Sequence, residues 1–174
     1  MILFAIHLAT QITASFWKSL MPEAVPFQPP GFHTATPYLR LKRGVEALAF
    51  YQKALNATEV SRLIMADGRL GHAEIRIGDS IIMLSDEFPE MNIVGPESLG
   101  GTSAAFMLYV PDADAMVRQA VAAGATIVME VADQFYGDRC GKIKDPFGHE
   151  WMISTHIEDV PHEEAKRRLA AMEK

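Results

Sequence analysis

His72 and Glu74 stand two residues apart in LGHAEIRI, the spacing that puts both side chains on one face of an extended strand. An imidazole and a carboxylate so placed share a hydrogen bond in solvent or help to hold a divalent ion, and the solvated pair is the commoner outcome. Tyr136 and Arg139 lie in DQFYGDRCGK. The planar fork of Arg139 suits a carboxylate or phosphate, and the competing reading is a salt bridge to Asp138 or Asp145. Cys140, beside Arg139, is either a thiol with a lowered pKa or a small buried residue, and burial is the commoner fate. In HEWMISTH, Glu150, Met152, Ser154 and His156 share a strand face, and His156 is either a pocket base or a strand-end residue. Tyr109, Met83, Met107 and Met152 can supply apolar, adaptable walls for a ligand, or simply core. GPESLGG neither follows a strand nor opens a helix as a phosphate loop must, so a nucleotide motif is rejected.

These residues need a scaffold, and the periodicity describes one. TATPYLRLK reads as a strand, and GVEALAFYQKAL as an amphipathic helix. EVSRLIMADGRLGHAEIRIGDSIIMLSDE reads as three strands, with turns at Asp67-Gly68 and Gly78-Asp79. Within it Ala73, Ile75 and Ile77 face a core, and His72, Glu74 and Arg76 face the other way. After the linker EFPEMNIVGPESLGG the order restarts. SAAFMLYV is a strand and DADAMVRQAVAAGA a helix capped by Asp112 or Asp114, with Gly124 near its end. TIVMEV, RCGKIKD and HEWMIST are three more strands, with Trp151 in the core, and DVPHEEAKRRLAAMEK is a C-terminal helix. The halves also share local sequence. Leu39-Arg40-Leu41 matches Leu108-Tyr109-Val110, and Ala57-Thr58-Glu59-Val60 matches Ala125-Thr126-Ile127-Val128. The expected fold is α+β: two βαβββ modules, residues 33–87 and 102–157, forming a curved mixed sheet with helices on the convex face and a concave face free for a ligand.

Composition narrows the partners. The 174 residues suffice for one domain with a sizeable core. A net charge of -6 disfavours nucleic acid or an anionic membrane as the main partner. A single cysteine cannot pair internally, which points to a reducing, cytoplasmic setting. No apolar run is long enough to span a membrane. Residues 1–20 are apolar but lack the basic start of a signal peptide, and Met21 opens a Pro-rich lead-in. The expected division is an extension and lead-in over 1–31, the domain over 32–160 and a helix over 161–174.

The module order, AFYQKALNA after the first strand and DPFGHEW before the last resemble vicinal-oxygen-chelate proteins, the glyoxalase/bleomycin-resistance/dioxygenase superfamily. LYVPDADA, AVAAGAT, DQFYGDR and DPFGHEWMISTH together are similar to its PhnB-like branch. The resemblance covers about residues 32–160. It specifies a fold rather than a reaction, because the superfamily holds isomerases, lyases, dioxygenases, thiol transferases and drug-sequestering binders. It also implies four cavity-facing strand positions that carry metal ligands in the metalloenzymes. Carried over, they fall on Thr36, Met83, Ala105 and Met152, none of which is an ordinary ligand. The resemblance further implies a homodimer.

The leading expectation is therefore a domain that binds a small organic molecule in the cavity with no cofactor, using His72, Glu74, Tyr109, Tyr136, Arg139 and His156. Arg139 would take the ligand's acidic end. The alternative is a divalent-metal lyase, isomerase or dioxygenase with shifted ligands such as His72 and Glu74, in which the metal would polarise a carbonyl. A regulatory or structural domain without a ligand is the third.

Overall fold

A computed structural model describes residues 25–172. Residues 31–172 form one compact unit. The expectation for residues 1–20 lies outside the described residues, and residues 25–30 contain no helix or strand.

Both modules form as the periodicity requires. The first runs β1 (Tyr38–Leu41), α1 (Gly44–Leu55), β2 (Thr58–Ile64), β3 (Leu70–Ile77) and β4 (Ser80–Asp86). A turn of 3-10 helix at Pro89–Met91 and the short α2 (Pro96–Leu99) occupy the linker that sequence leaves irregular. The second runs β5 (Ala105–Tyr109), α3 (Ala113–Ala123), β6 (Thr126–Asp133), β7 (Asp138–Lys144) and β8 (Glu150–His156), and α4 (His162–Met172) follows. Of the two candidate caps of α3, Asp112 acts: its Oδ1 accepts the Ala115 N–H at 2.8 Å. Gly124 ends that helix in the left-handed region at φ 118°. Strand β1 starts later than TATPYLRLK suggests, because Pro37 has no N–H to give to a ladder, and Thr36 is left outside the strand.

Each module makes one four-stranded mixed sheet, in the orders β1-β4-β3-β2 and β5-β8-β7-β6. β1 runs parallel to β4 and β5 parallel to β8, and the other pairs are antiparallel. Helix α1 packs on the first sheet, α3 on the second, and the two helices pack on each other. One continuous core results, holding Leu39, Leu48, Tyr51, Ile75 and Leu84 from the first module with Val117, Ile143, Trp151 and Ile153 from the second. Buried Asp145 ties the modules together. It accepts the Tyr51 hydroxyl at 2.7 Å and Trp151 Nε1–H at 2.9 Å, and the N–H groups of Phe147 and His149 also donate to it. Trp151 is fully buried, as its alternation predicts. The helices cover one face of each sheet, and the other face is where polar side chains collect.

Candidate functional site

The open face of the first sheet is built by alternation. Leu39 and Leu41 turn inward, so Tyr38 and Arg40 turn outward. In β3, Ala73, Ile75 and Ile77 are buried while His72, Glu74 and Arg76 are half-exposed, as the sequence implies. Register aligns Tyr38 with Met83 and Met83 with Glu74, and it sets Arg40 against Ser85. A polar chain crosses this face. The Tyr38 hydroxyl lies 3.0 Å from His72 Nδ1, and His72 Nε2 lies 3.3 Å from Glu74 Oε1. One neutral tautomer satisfies both contacts, with Tyr38 donating to Nδ1 and Nε2–H donating to Glu74. The Arg40 guanidinium lies 3.7 Å from the centre of the Tyr38 ring and donates to Ser85 Oγ at 2.5 Å.

The second sheet carries a different cluster on its open face, centred on Asp138, which is 3 % exposed. Asp138 Oδ2 accepts the Tyr109 hydroxyl at 2.9 Å and the Ser154 hydroxyl at 3.1 Å, and Oδ1 faces His156 Nδ1 at 2.8 Å. Exposed Asp159 meets His156 Nε2 at 3.0 Å. Hydrogen bonding to Asp138 and then Asp159 raises the imidazole pKa. Burial pushes the Asp138 carboxyl up, but hydrogen bonds from His156, Tyr109 and Ser154 outweigh it and hold the acid below its usual range. The Asp138 hydrogen bond pushes the Tyr109 phenol up. Burial, with the nearby Cys140 and Asp138, does the same for Tyr136.

The structure thus brings His72 and Glu74 together on one sheet, and Tyr109, Tyr136 and His156 around Asp138 on the other. It does not bring Arg139 to either face. Arg139 pairs with Thr155, whose hydroxyl accepts the Ala113 N–H at the start of α3, so Arg139 lies on the helix side of β7. Its Nε and Nη2 bind Asp114 at 2.6 and 2.9 Å, and its Nη1 binds Asp133 at 2.7 Å. These carboxylates, rather than Asp138 or Asp145, engage the fork. Cys140 faces away from Arg139 and is fully buried. Tyr38, Arg40 and Asp138 were missed as site residues. The repeat held a signal for one of them: Arg40 occupies the position in Leu39-Arg40-Leu41 that Tyr109 holds in Leu108-Tyr109-Val110.

Two βαβββ modules sharing one core, each with an open, polar sheet face, define the vicinal-oxygen-chelate architecture. The chain belongs to the Glyoxalase/Bleomycin resistance protein/Dioxygenase superfamily, whose family model matches residues 33–153. An uncharacterized protein of Mycobacterium bovis is 38% identical over 139 residues, covering 78% of this chain and 91% of that one. Among solved structures, an Arabidopsis thaliana gene product superposes with a TM-score of 0.58 at 27% identity, over 71% of this chain and 98% of that one. A Bacillus cereus PhnB protein, described as a putative 3-demethylubiquinone-9 3-methyltransferase, superposes at 0.57 and 16% identity over 71% and 99%. At that identity the likeness concerns the fold.

The metal that the superfamily implies does not fit the residues at its usual positions. Thr36 lies before β1 and donates its hydroxyl to the His33 carbonyl at 2.9 Å. Met83 is flanked by Tyr38 and Glu74, Ala105 pairs with Glu150, and Met152 lies between Met107 and Lys142. Two thioethers, a methyl group and one hydroxyl do not make a donor set for a hard or borderline divalent ion. Among the described residues, no three His, Cys, Asp or Glu side chains gather where they could hold an ion.

Proposed function

We propose that this superfamily member binds a small organic molecule on the open sheet faces, without a metal at Thr36, Met83, Ala105 and Met152, and works as a homodimer in the cytoplasm. The observation that carries the reading is the Tyr38–His72–Glu74 chain, a line of hydrogen-bonding groups half-exposed on a sheet face that no described helix covers. His72 and Glu74 would orient polar groups of the ligand, Tyr38 and Met83 would form the wall, and Tyr109, Tyr136 and His156 would act from the second sheet. The acidic net charge supports a small molecule over nucleic acid. No described helix is long and apolar enough to cross a membrane.

The second reading is a divalent ion held by His72 and Glu74. Their 3.3 Å approach favours it, since both groups could reach one ion. The ion would still need further donors, and no third His, Cys, Asp or Glu joins the pair among the described residues.

Native mass spectrometry of protein purified without chelator tests the proposal through retained ligand. A small organic adduct is expected, lost or much reduced in His72→Ala. An adduct equally abundant in His72→Ala would contradict this site, and a metal adduct lost in the same variant would favour the second reading.

A further inference from the structure

Arg40 on β1 and Arg76 on β3 are half-buried cations of the first sheet's open face with no ion pair among the described residues, and Arg40 is the one that also lines a groove. A partly buried guanidinium normally faces a carboxylate, and most arginines here do: Arg43, Arg69, Arg139 and Arg168 each bind acidic side chains. Arg40 meets no carboxylate among the described residues. Its polar partner is the neutral Ser85 hydroxyl, engaged through Nη1 alone, while the Tyr38 ring supports its flat face. Glu87, the nearby acid, is committed elsewhere, since Oε1 accepts Gly95 N–H and Oε2 accepts Ser98 Oγ–H, both at 2.7 Å.

Beside Arg40 lies an open groove of about 550 Å³ between β1 and the linker, lined by Tyr38, Arg40, Gly95, Thr102, Ser103 and His149. That volume suits a small organic ligand. His149 holds the β1 side of this groove in place, its Nε2 3.1 Å from the Arg40 carbonyl. Tyr38 joins the groove to the polar chain, because the same residue lines the groove and bonds His72. A fork engaged only through Nη1 among the described residues, an aromatic wall and an open groove therefore meet at one place.

We infer that this groove is an oxyanion subsite, in which Arg40 receives the carboxylate or phosphate of a small organic acid. Tyr38 packs on the ligand body, and His72 and Glu74 contact its polar groups farther along the sheet. The inference rests on the small-molecule reading above and names its ligand class. The fork of Arg40 can present two parallel N–H donors to either oxyanion, which a lysine cannot reproduce.

Isothermal titration of the full chain with benzoate, phenyl phosphate and benzamide tests it. One or both anions should bind, and the tighter identifies the acid. Benzamide, similar in size but uncharged, should bind at least about tenfold more weakly, the smallest effect expected for a charge-assisted hydrogen bond. Arg40→Ala should lose about tenfold or more in anion affinity, and Arg40→Lys should recover only part. Arg139→Ala, judged folded by circular dichroism, should bind as the native chain does. If Arg40→Ala does not fold, the Arg40 Nε–H resonance of the native chain should shift on benzoate titration. Absence of that shift, equal binding of benzamide, unchanged affinity in a folded Arg40→Ala, or binding of neither anion would overturn the inference. Benzamide binding that is insensitive to Arg40 but sensitive to His72→Ala would leave the broader small-molecule reading standing. Stoichiometric bound metal would remove that reading instead.

Discussion

Asp138 and Asp145 show how buried carboxylates divide labour in this chain. Asp145 is filled by four donors that all belong to the module junction, so it serves the fold. Asp138 binds three side chains on the open face, so its charge is coupled to two solvent-exposed groups, Tyr109 and His156. Both ring nitrogens of His156 face carboxylates, which favours the imidazolium and raises its pKa. A raised folded pKa adds stability that is complete below the unfolded value of about 6.5 and is lost as pH climbs through the folded value. Asp138, held low, stays ionised through that window. The difference in thermal midpoint between the native chain and His156→Gln should therefore be larger near pH 5.5 than near pH 8.5. An unchanged or reversed difference would show that the Asp138–His156 contact does not persist in solution.

Residue-level chemistry was only partly legible in the sequence. Period-two alternation placed His72 and Glu74 together and set them opposite Ala73, Ile75 and Ile77, because a strand's facing is a local property. The partners of Arg139 were not legible. Asp114 comes from α3 and Asp133 from β6, and only tertiary packing brings them to β7. The same limit hid Asp138, which sequence offered as a partner for its neighbour Arg139 and which the sheet gives to Tyr109, Ser154 and His156.

At the scale of elements, the linker matters more than its irregular sequence suggests. Phe88 and Ile93 close a small bridge, Pro96 opens α2, and Gly95 lies against the backbone of β1 at Arg40. A Cβ at Gly95 would strike the Arg40 carbonyl, and backbone cannot yield as a flexible side chain can. Gly95→Ala should therefore cost about 1–3 kcal/mol in urea unfolding, the range for forced overpacking, and should weaken anion binding beside Arg40. A variant of native stability and affinity would mean that the linker does not press on β1. The turns and helix α3 were legible because Gly68, Gly78, Asp112 and Gly124 mark them locally. The short α2 was not, since a single turn leaves no periodic pattern.

At the scale of the whole molecule, the repeat in sequence became a repeat in structure, with identical strand orders in the two sheets. Each sheet ends in an outer strand, β2 or β6, that bears exposed apolar side chains, among them Leu63, Ile64, Val128 and Met129. Such edges invite pairing or cover. Light scattering at micromolar concentration should give twice the chain mass, and a monomeric mass would count against the homodimer.

We propose that this superfamily fold holds no metal at the usual strand positions and recognises its ligand with side chains alone. Elemental analysis by plasma mass spectrometry, on protein purified without chelator from metal-supplemented medium, tests this most directly. Zinc, nickel, iron and manganese are expected far below one ion per chain, because Thr36, Met83, Ala105 and Met152 cannot replace an ion's hydration shell. One equivalent of any of these metals, retained through dialysis and lost on substituting Met83 or Met152, would contradict it.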